Sequence, residues 1–243
     1  MKAYVQIDTK GGNNKEIVCE GLKALDIEVI ECHRYHQLKE LSKDYLFYGG
    51  VGFIRSICEQ YNYIYKPIGE VPKEMEPYAG RKMFECTVEE ALRISETKKL
   101  FVKPTAENNK GFSGRVISNS LDDAYLLNYY LRPTDKVLAS EVVKFVSEWR
   151  CFVVGYTICE MVHYKGDKDI LPTRSIANKA AYDWRYNLIA YALDIGVTAD
   201  GDTLVVECND LPSLGLYGVK PVRFGEMLIT RWQEIHKNGG INF

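Results

Sequence analysis

Two oxygen-bearing side chains, Glu207 and Asn209, lie two residues apart in the apolar segment LVVECND. Residues at positions i and i+2 of a strand point to the same face of a sheet. The dipeptide Asp200-Gly201 before this segment favours a two-residue hairpin turn. In that register Asp194 lies directly opposite Glu207, with Cβ atoms roughly 5 Å apart.

Two facing carboxylates in a half-buried sheet repel each other, so either the pKa of one rises or a cation neutralises the pair. The amide oxygen of Asn209 would complete an all-oxygen set. Oxygen ligands in small number suit Mg²⁺, which keeps several waters and substrate phosphates in its coordination sphere. The same spacing also fits an exposed acidic hairpin face without a ligand, and spacing alone leaves both interpretations open.

A second candidate is Lys103 in the strand-like segment LFVKP, which is followed by a glycine-bearing loop at Gly111–Gly114. A strand lysine beside accessible backbone N–H groups can hold phosphate oxygens, and glycine permits close approach of the backbone. Glycine hairpins are common, so an ordinary hairpin is the alternative. The sequence contains no GxxxxGK[ST] phosphate loop.

The third candidate is Arg150, at the start of a long apolar strand in the segment EWRCFVVG. An arginine in this position can stabilise charge that builds up on a phosphoryl or tetrahedral centre. The alternative is a strand-end arginine that pairs with a nearby acid.

Composition excludes several other classes of protein. The formal net charge is -2, so the chain has no basic field for nucleic-acid binding, and it has no apolar segment of membrane-spanning length. The seven cysteines are odd in number and form no CxxC motif, which favours reduced, buried thiols in a cytoplasmic protein. The histidines show no HExxH spacing, and no GxSxG motif occurs.

The first third of the chain alternates strand and helix patterns, which predicts parallel strands joined by right-handed crossovers. The strands are KAYVQI, IEVIE and DYLFYGG, and the helices are Lys15–Leu25 and Val51–Gln60. The proline-bearing stretch YKPIGEVPKEMEPYAG then marks a boundary. We therefore expect an α/β domain over residues 1–75 and a second domain over residues 76–243.

In the second part strands and helices are segregated, which is typical of an α+β fold. Thr87 and Glu90 form a capping-box pattern at the start of one helix, and Ser120 caps another. Periodicity predicts further helices over Ala180–Leu193 and around Phe224–His236.

The order of these segments resembles the ATP-grasp superfamily, especially its small bacterial and phage members similar to ribosomal-protein glutamate ligases. The matching segments are LFVKP at 100–104, KGFSG at 110–114, SEVVKFVSEWRCFVVG at 140–155 and LDIGV…LVVECND at 193–210. The resemblance implies an α+β ATP-grasp fold, in which two α+β subdomains grip ATP, preceded by a short α/β pre-ATP-grasp domain.

The resemblance also implies roles for individual residues. Nucleotide contacts are implied for two lysines, Lys82 and Lys103. They are also implied for the mobile loop of Gly111, Phe112, Ser113 and Gly114, for the hinge of Glu141, Val142 and Val143, and for the ribose-binding Glu148. Catalytic roles are implied for Lys103 and Arg150, and a Mg²⁺ set for Asp194, Glu207 and Asn209.

The implied activity is ATP- and Mg²⁺-dependent ligation of a carboxylate to an amine through an acylphosphate. The partners would be a small-molecule or peptide carboxylate and an amine acceptor, with no nucleic acid and no membrane, in a monomer or homodimer. The alternatives are an ATP-grasp kinase with a hydroxyl acceptor and a catalytically silent ATP-binding module.

Overall fold

The protein is described by a computed structural model, which covers residues 1–7, 14–33, 40–66, 68, 70–105 and 112–241. The strands are β1 (Lys2–Gln6), β2 (Glu28–Cys32), β3 (Tyr45–Tyr48), β4 (Ile64–Tyr65), β5 (Met83–Thr87), β6 (Leu100–Pro104), β7 (Arg115–Ile117), β8 (Lys136–Glu141), β9 (Phe145–Val154), β10 (Thr157–Gly166), β11 (Ala190–Thr198), β12 (Thr203–Asn209) and β13 (Gly240–Ile241). The α-helices are α1 (Asn14–Ala24), α2 (Val51–Gln60), α3 (Val88–Ser95), α4 (Leu121–Tyr130), α5 (Arg174–Asp183) and α6 (Pro221–Asn238).

The chain divides into two compact units. Unit 1 comprises Met1–Tyr78 and Val146–Phe243, and unit 2 comprises Ala79–Phe145. Unit 1 therefore contains both the amino-terminal third of the chain and its carboxy-terminal two-fifths. The assignment of residues 1–75 to a separate domain remains a prediction.

The amino-terminal part of unit 1 is a parallel sheet with strand order β2-β1-β3. The β-α-β pattern of the sequence predicted this arrangement, and that prediction is confirmed. The last helix, α6, shares the core of this sheet, because Trp232 donates a 2.7 Å hydrogen bond to the carbonyl of Phe47 and its ring meets the Phe47 ring edge-on at 5.0 Å. Helix α1 packs closely against α6, and a Cβ at Gly21 would overlap the carbonyl of Pro221.

The second sheet of unit 1 has strand order β10-β9-β11-β12. Residues Cys151, Val153, Leu193 and Cys208 share a core with Ala177, which lies on α5. The intervening residues of these strands point to the opposite face, because side chains alternate along a strand. This opposite face carries the candidate site.

Unit 2 is an antiparallel sheet, order β5-β8-β6-β7, with helices α3 and α4. The predicted capping box is present, since the Thr87 hydroxyl accepts from the N–H of Glu90 while the Glu90 carboxylate accepts from the N–H of Thr87. Ser120 caps α4 by accepting from the N–H of Asp123 at 3.0 Å. Both cap predictions are confirmed.

The predicted helix over Ala180–Leu193 is wrong. Helix α5 ends at Asp183, and the chain enters strand β11 at Ala190. Every residue of Ala190–Val197 is buried, so this is a central strand whose continuous apolar character mimics a buried helical segment. Asp194 therefore lies in the middle of a buried strand.

The last helix is longer than the sequence indicated. It begins at Pro221 and ends at Asn238, and Gly239 caps it with a φ of 71°. None of the described helices is both long enough and apolar enough to cross a membrane.

Candidate active site

The hairpin of β11 and β12 places Asp194 directly opposite Glu207, as the sequence predicted. The predicted two-residue turn is wrong, however. The N–H of Thr198 donates to the carbonyl of Asp202, so the loop contains three residues and ends at Gly201, whose φ is 88°. A regular ladder from this longer loop would place Val206, and not Glu207, opposite Asp194.

A β-bulge corrects the register. The pairing shifts by one residue between Ile195–Val205 and Asp194–Glu207, which makes Val206 the extra residue of β12. Beyond the bulge Cys208 is buried among apolar residues, while Glu207 and Asn209 lie on the opposite, polar face. The bulge therefore directs Glu207 toward Asp194.

The three predicted metal ligands converge on this face. The amide nitrogen of Asn209 donates to Asp194 Oδ2 at 3.2 Å and to Glu207 Oε1 at 3.0 Å. Both carboxylates thus lie within hydrogen-bonding distance of the Asn209 amide. The amide can present its oxygen to a cation after a flip about its terminal torsion, because its two ends are similar in shape.

Arg150, on β9, forms a bidentate ion pair with Asp194. Its Nε donates to Asp194 Oδ1 at 2.7 Å and its Nη2 donates to Oδ2 at 2.6 Å, and both side chains are buried. Nη1 donates to the carbonyl of Gly215 at 2.6 Å. The pairing with a nearby acid, one of the two interpretations left open by the sequence, is present in the structure, and a role for Arg150 at a phosphoryl group remains a prediction.

The charges around Asp194 act in opposite directions. The pKa of the Asp194 carboxyl is raised to about 6, because burial, together with the neighbouring Glu207 and Glu148, raises it by more than Arg150 lowers it. Asp194 is therefore a buried carboxylate whose charge depends on nearby cations.

Glu148 lies two residues before Arg150, on the same face of β9. Its carboxylate accepts from the hydroxyl of Tyr164 at 2.9 Å and forms an ion pair with Lys165. Both of its oxygens therefore have partners within the sheet, and its predicted contact with a ribose stays a prediction.

The segment that follows β12 is held in place by contacts that were not predicted from the sequence. Asp210, immediately after Asn209, forms a buried bidentate ion pair with Arg231 of α6 at 2.8 and 2.9 Å. Tyr48 donates to the carbonyl of Leu214 at 2.5 Å. These contacts fix the end of the strand that carries Glu207, and no local motif could reveal them because their partners are distant in sequence.

In unit 2, Lys103 and Phe101 point to the same face of β6, opposite the buried side chains of Leu100 and Val102. Gly114 packs against the Phe101 ring so closely that a Cβ there would overlap it. The end of the glycine-bearing loop therefore lies on the face that carries Lys103.

The rest of the predicted loop is divided. Phe112 packs against the core of unit 2 and its ring lies 6.2 Å from that of Tyr130, whereas Ser113 is exposed. Gly111 lies outside the described residues.

The predicted hinge is at the end of β8. The Glu141 carboxylate accepts from the backbone N–H of Lys82 at 3.1 Å and from the Lys98 ammonium at 2.5 Å. The bond from Lys98 and the backbone bond from Lys82 lower the pKa of Glu141, which keeps it ionised. Val142 and Val143 follow in a short segment outside regular structure, with Val142 exposed. The structure thus brings Lys82 and Glu141 together within unit 2.

The chemistry of the donor set decides whether a cation fits unit 1. Within the described ranges, no three side chains of His, Cys, Asp or Glu are grouped as a metal site would require. The set here has two carboxylates and one amide, all able to offer oxygen. A small number of oxygen ligands from the protein is sufficient for Mg²⁺, because Mg²⁺ takes its remaining ligands from water and phosphate. These residues therefore fit Mg²⁺ better than Zn²⁺.

Known structures share this fold over nearly the whole chain. A D-cycloserine synthetase, DcsG, has a TM-score of 0.59 at 14% identity, covering 95% of this chain and 99% of that one. D-alanine–D-alanine ligase from Bacillus anthracis complexed with ATP has a TM-score of 0.59 at 16% identity, covering 98% and 99%. A RimK domain ATP-grasp protein from Sphaerobacter thermophilus DSM 20745 has a TM-score of 0.55 at 14% identity, covering 96% and 98%.

At these identities the likeness shows the fold, and it confirms the predicted α+β ATP-grasp architecture. No curated protein matches the sequence. A family model described as ATP-grasp domain, R2K clade family 2, matches residues 78–227, which is more than half of the chain. The resemblance drawn from the sequence motifs is therefore confirmed, and the chain belongs to the ATP-grasp domain family 2 of the R2K clade.

Proposed function

We propose that this protein is an ATP- and Mg²⁺-dependent ligase that joins a carboxylate to an amine through an acylphosphate. One observation carries the proposal. The polar face of the second sheet of unit 1 gathers Asp194, Glu207 and Asn209 beside the buried guanidinium of Arg150. Carboxylates for a cation beside an arginine for phosphate oxygens are the groups that phosphoryl transfer requires.

Asp194, Glu207 and Asn209 would hold Mg²⁺. When bound there, the ion would neutralise negative charge on the nucleotide phosphates. The protein's contribution is to fix these three side chains in advance, through the bulge at Val206 and the Arg231–Asp210 ion pair. Such preorganisation lowers the cost of arranging charges during the reaction.

Arg150 would donate to oxygens of the phosphoryl group that moves from ATP to the substrate carboxylate. Asp194 orients the guanidinium by its two hydrogen bonds. An arginine held in this way stabilises charge without further reorganisation, and positioning of this kind is the main source of catalysis in phosphoryl transfer.

The residues of unit 2 would contact the nucleotide. We assign the adenine and α-phosphate side to Lys103, with Lys82 as a further nucleotide contact, and the adenine edge to Glu141, Val142 and Val143. The loop of Gly111, Phe112, Ser113 and Gly114 would exclude water, which otherwise hydrolyses an acylphosphate. In unit 1, Glu148 would bind the ribose.

The activities named for structural neighbours support this class of reaction and of substrate. They include a D-alanine–D-alanine ligase, an ATP-grasp ligase PsnB complexed with a minimal precursor, and a macrocyclase MdnC bound with a precursor peptide. We accordingly propose a small-molecule or peptide carboxylate and an amine as the substrates.

The test replaces Glu207 by Gln, which removes one carboxylate charge and keeps the shape. ADP formation from Mg-ATP is measured with pooled amino acids and short peptides. We expect the rate to fall on the order of 100-fold or more, because a cation ligand is lost. Glu226→Gln, an exposed glutamate on α6 that pairs with Arg223, is the matched control and should keep the wild-type rate. A Glu207→Gln variant as active as this control would refute the assignment.

A further inference from the structure

Two tyrosines that belong to none of the sequence motifs border Arg150. The rings of Tyr164, on β10, and Tyr217, in the loop after β12, stack with centroids 4.9 Å apart and planes inclined by 19°. The Cζ atom of Arg150 lies 5.0 Å from the Tyr217 ring centroid and 5.7 Å from that of Tyr164. Both distances are within the range of a cation–π contact.

The hydrogen bonds of Arg150 leave part of its guanidinium available. The group has five N–H donors. Among the described residues, Nε and Nη2 each donate one N–H to Asp194, and Nη1 donates one N–H to the carbonyl of Gly215. One N–H on each terminal nitrogen therefore remains, and these two can donate to a pair of oxygens on one phosphoryl group.

The backbone around Tyr217 is held in an unusual conformation. Tyr217 has a φ of 52° and Gly218 a φ of 93°, and a positive φ is uncommon for a residue with a bulky side chain. The preceding loop is fixed at two points, since Leu214 accepts from Tyr48 and the N–H of Leu216 donates to Asn14 Oδ1 at 2.9 Å. Backbone strain of this kind persists where the surroundings impose it and is common at functional sites.

Burial of the Tyr217 ring does not account for this strain. Its exposed fraction is 50%, so the ring gains only part of the free energy that a core aromatic would gain. Among the described residues, its ring contacts the Tyr164 ring and the Arg150 guanidinium and also lies beside Gly215. Tyr164 is in turn held by the hydrogen bond from its hydroxyl to Glu148.

We infer that Tyr164 and Tyr217 are positioning residues for Arg150. They hold the plane of the guanidinium so that its two remaining N–H groups point toward the phosphoryl group transferred from ATP. Asp194 and Gly215 fix the guanidinium within its plane, and the aromatic pair fixes the orientation of that plane. The inference rests on the proposed function, because it requires a nucleotide γ-phosphate at Arg150.

The experiment compares two nucleotides that differ in the γ-phosphate. Binding of ADP and of the non-hydrolysable ATP analogue AMP-PNP, each with Mg²⁺, is measured by calorimetry for the whole protein. In Tyr217→Ala we expect about a tenfold loss of AMP-PNP affinity, which corresponds to a cation–π contact in a desolvated site, and less than a twofold change for ADP. Tyr217→Phe keeps the ring and should bind both nucleotides like the wild type.

Two further variants separate positioning from general stability. Tyr186→Ala is the matched control, because Tyr186 is 85% exposed and its ring contacts a different arginine, Arg185, at 4.3 Å. It should change neither affinity. In an Arg150→Lys background, Tyr217→Ala should cause no further loss of AMP-PNP affinity, since the side chain through which it acts is already altered.

The outcomes distinguish this inference from the proposed function. If the wild type binds both nucleotides but Tyr217→Ala weakens them equally, or weakens neither, the positioning role is refuted while the proposed function stands. An additive loss in the Arg150→Lys background would also refute it. If the wild type binds neither nucleotide, the proposed function fails, and the inference fails with it.

Discussion

The buried ion pair of Arg150 and Asp194 makes a quantitative prediction for Asp194→Asn. This substitution leaves the Arg150 guanidinium charged in a site where its side chain is 6% exposed and that of Asp194 is 2% exposed. Removing one partner from a buried ion pair lowers the free energy of unfolding by about 3–5 kcal/mol. Asn keeps one acceptor oxygen for Arg150, and the burial of the Asp194 charge, which raises its pKa, offsets part of the loss. We therefore expect the lower end of this range, about 3 kcal/mol, which corresponds to a fall in Tm of roughly 6–12 °C.

The assay is urea unfolding followed by tryptophan fluorescence. All three tryptophans, Trp149, Trp184 and Trp232, lie in unit 1, so the signal reports the unit that contains the ion pair. Glu226→Gln again serves as the control, because it breaks an exposed pair and should cost at most about 1 kcal/mol.

A double variant tests the cause of the effect. Arg150→Met with Asp194→Leu removes both charges, so no ion is left buried without a partner, and its free energy of unfolding should exceed that of Asp194→Asn. The reasoning is refuted if Asp194→Asn is as stable as Glu226→Gln. It is also refuted if the double variant is no more stable than Asp194→Asn.

Two further predictions concern other parts of the fold. In unit 2, Gly114→Ala should lower the free energy of unfolding, measured by calorimetry, by about 1–3 kcal/mol, because the added methyl overlaps the Phe101 ring. Phe101→Leu should relieve this overlap, so Gly114→Ala should lower the free energy of unfolding by less in that background. Equal losses in the wild-type and Phe101→Leu backgrounds would contradict the explanation. In unit 1, burial lowers the pKa of His236, whose Nε2–H donates to the carbonyl of Tyr45 at 2.9 Å. The folded state therefore binds fewer protons than the unfolded state, so stability should be full above the ordinary histidine pKa of about 6.5 and fall as pH decreases below it. Urea unfolding at several pH values should show a smaller fall in His236→Gln, and parallel pH profiles would count against this assignment.

Local features of this chain were predictable from its sequence. The caps at Thr87 and Ser120 depend on side chains that bond to backbone groups three residues away, so their signal lies within one turn. The alternation of β-α-β patterns likewise predicted the parallel sheet of the first third. The confirmed fold follows from these short-range patterns and from the order of the motifs.

The details of the site depended on information that the local sequence lacks. Asp200-Gly201 correctly predicted a hairpin, but the loop is one residue longer, and the bulge at Val206 offsets this error so that Glu207 still faces Asp194. Nothing in the alternation of β12 indicated a bulge. The correct pairing was therefore reached from an incorrect turn.

Contacts between residues distant in the sequence were also not predictable from local patterns. The partners Arg150 and Asp194 are 44 residues apart, and Tyr164 and Tyr217 come together only because β10 and the loop after β12 meet in the folded chain. Tyrosine is common in this sequence, which has 17, so residue type alone could not single out these two. The misassigned helix over residues 180–193 has the same origin, because burial in a central strand erases the period-two pattern.

The most direct test of the central proposal is the fate of the γ-phosphate. The protein is incubated with Mg-ATP and pooled amino acids and peptides, and phosphorus-containing products are identified by ³¹P NMR while organic products are identified by mass spectrometry. The proposal predicts ADP and inorganic phosphate in equal amounts, together with an amide whose mass equals that of its two substrates less one water. A phosphorylated acceptor without inorganic phosphate would instead show a kinase, and the absence of ADP with every pool would contradict catalysis altogether.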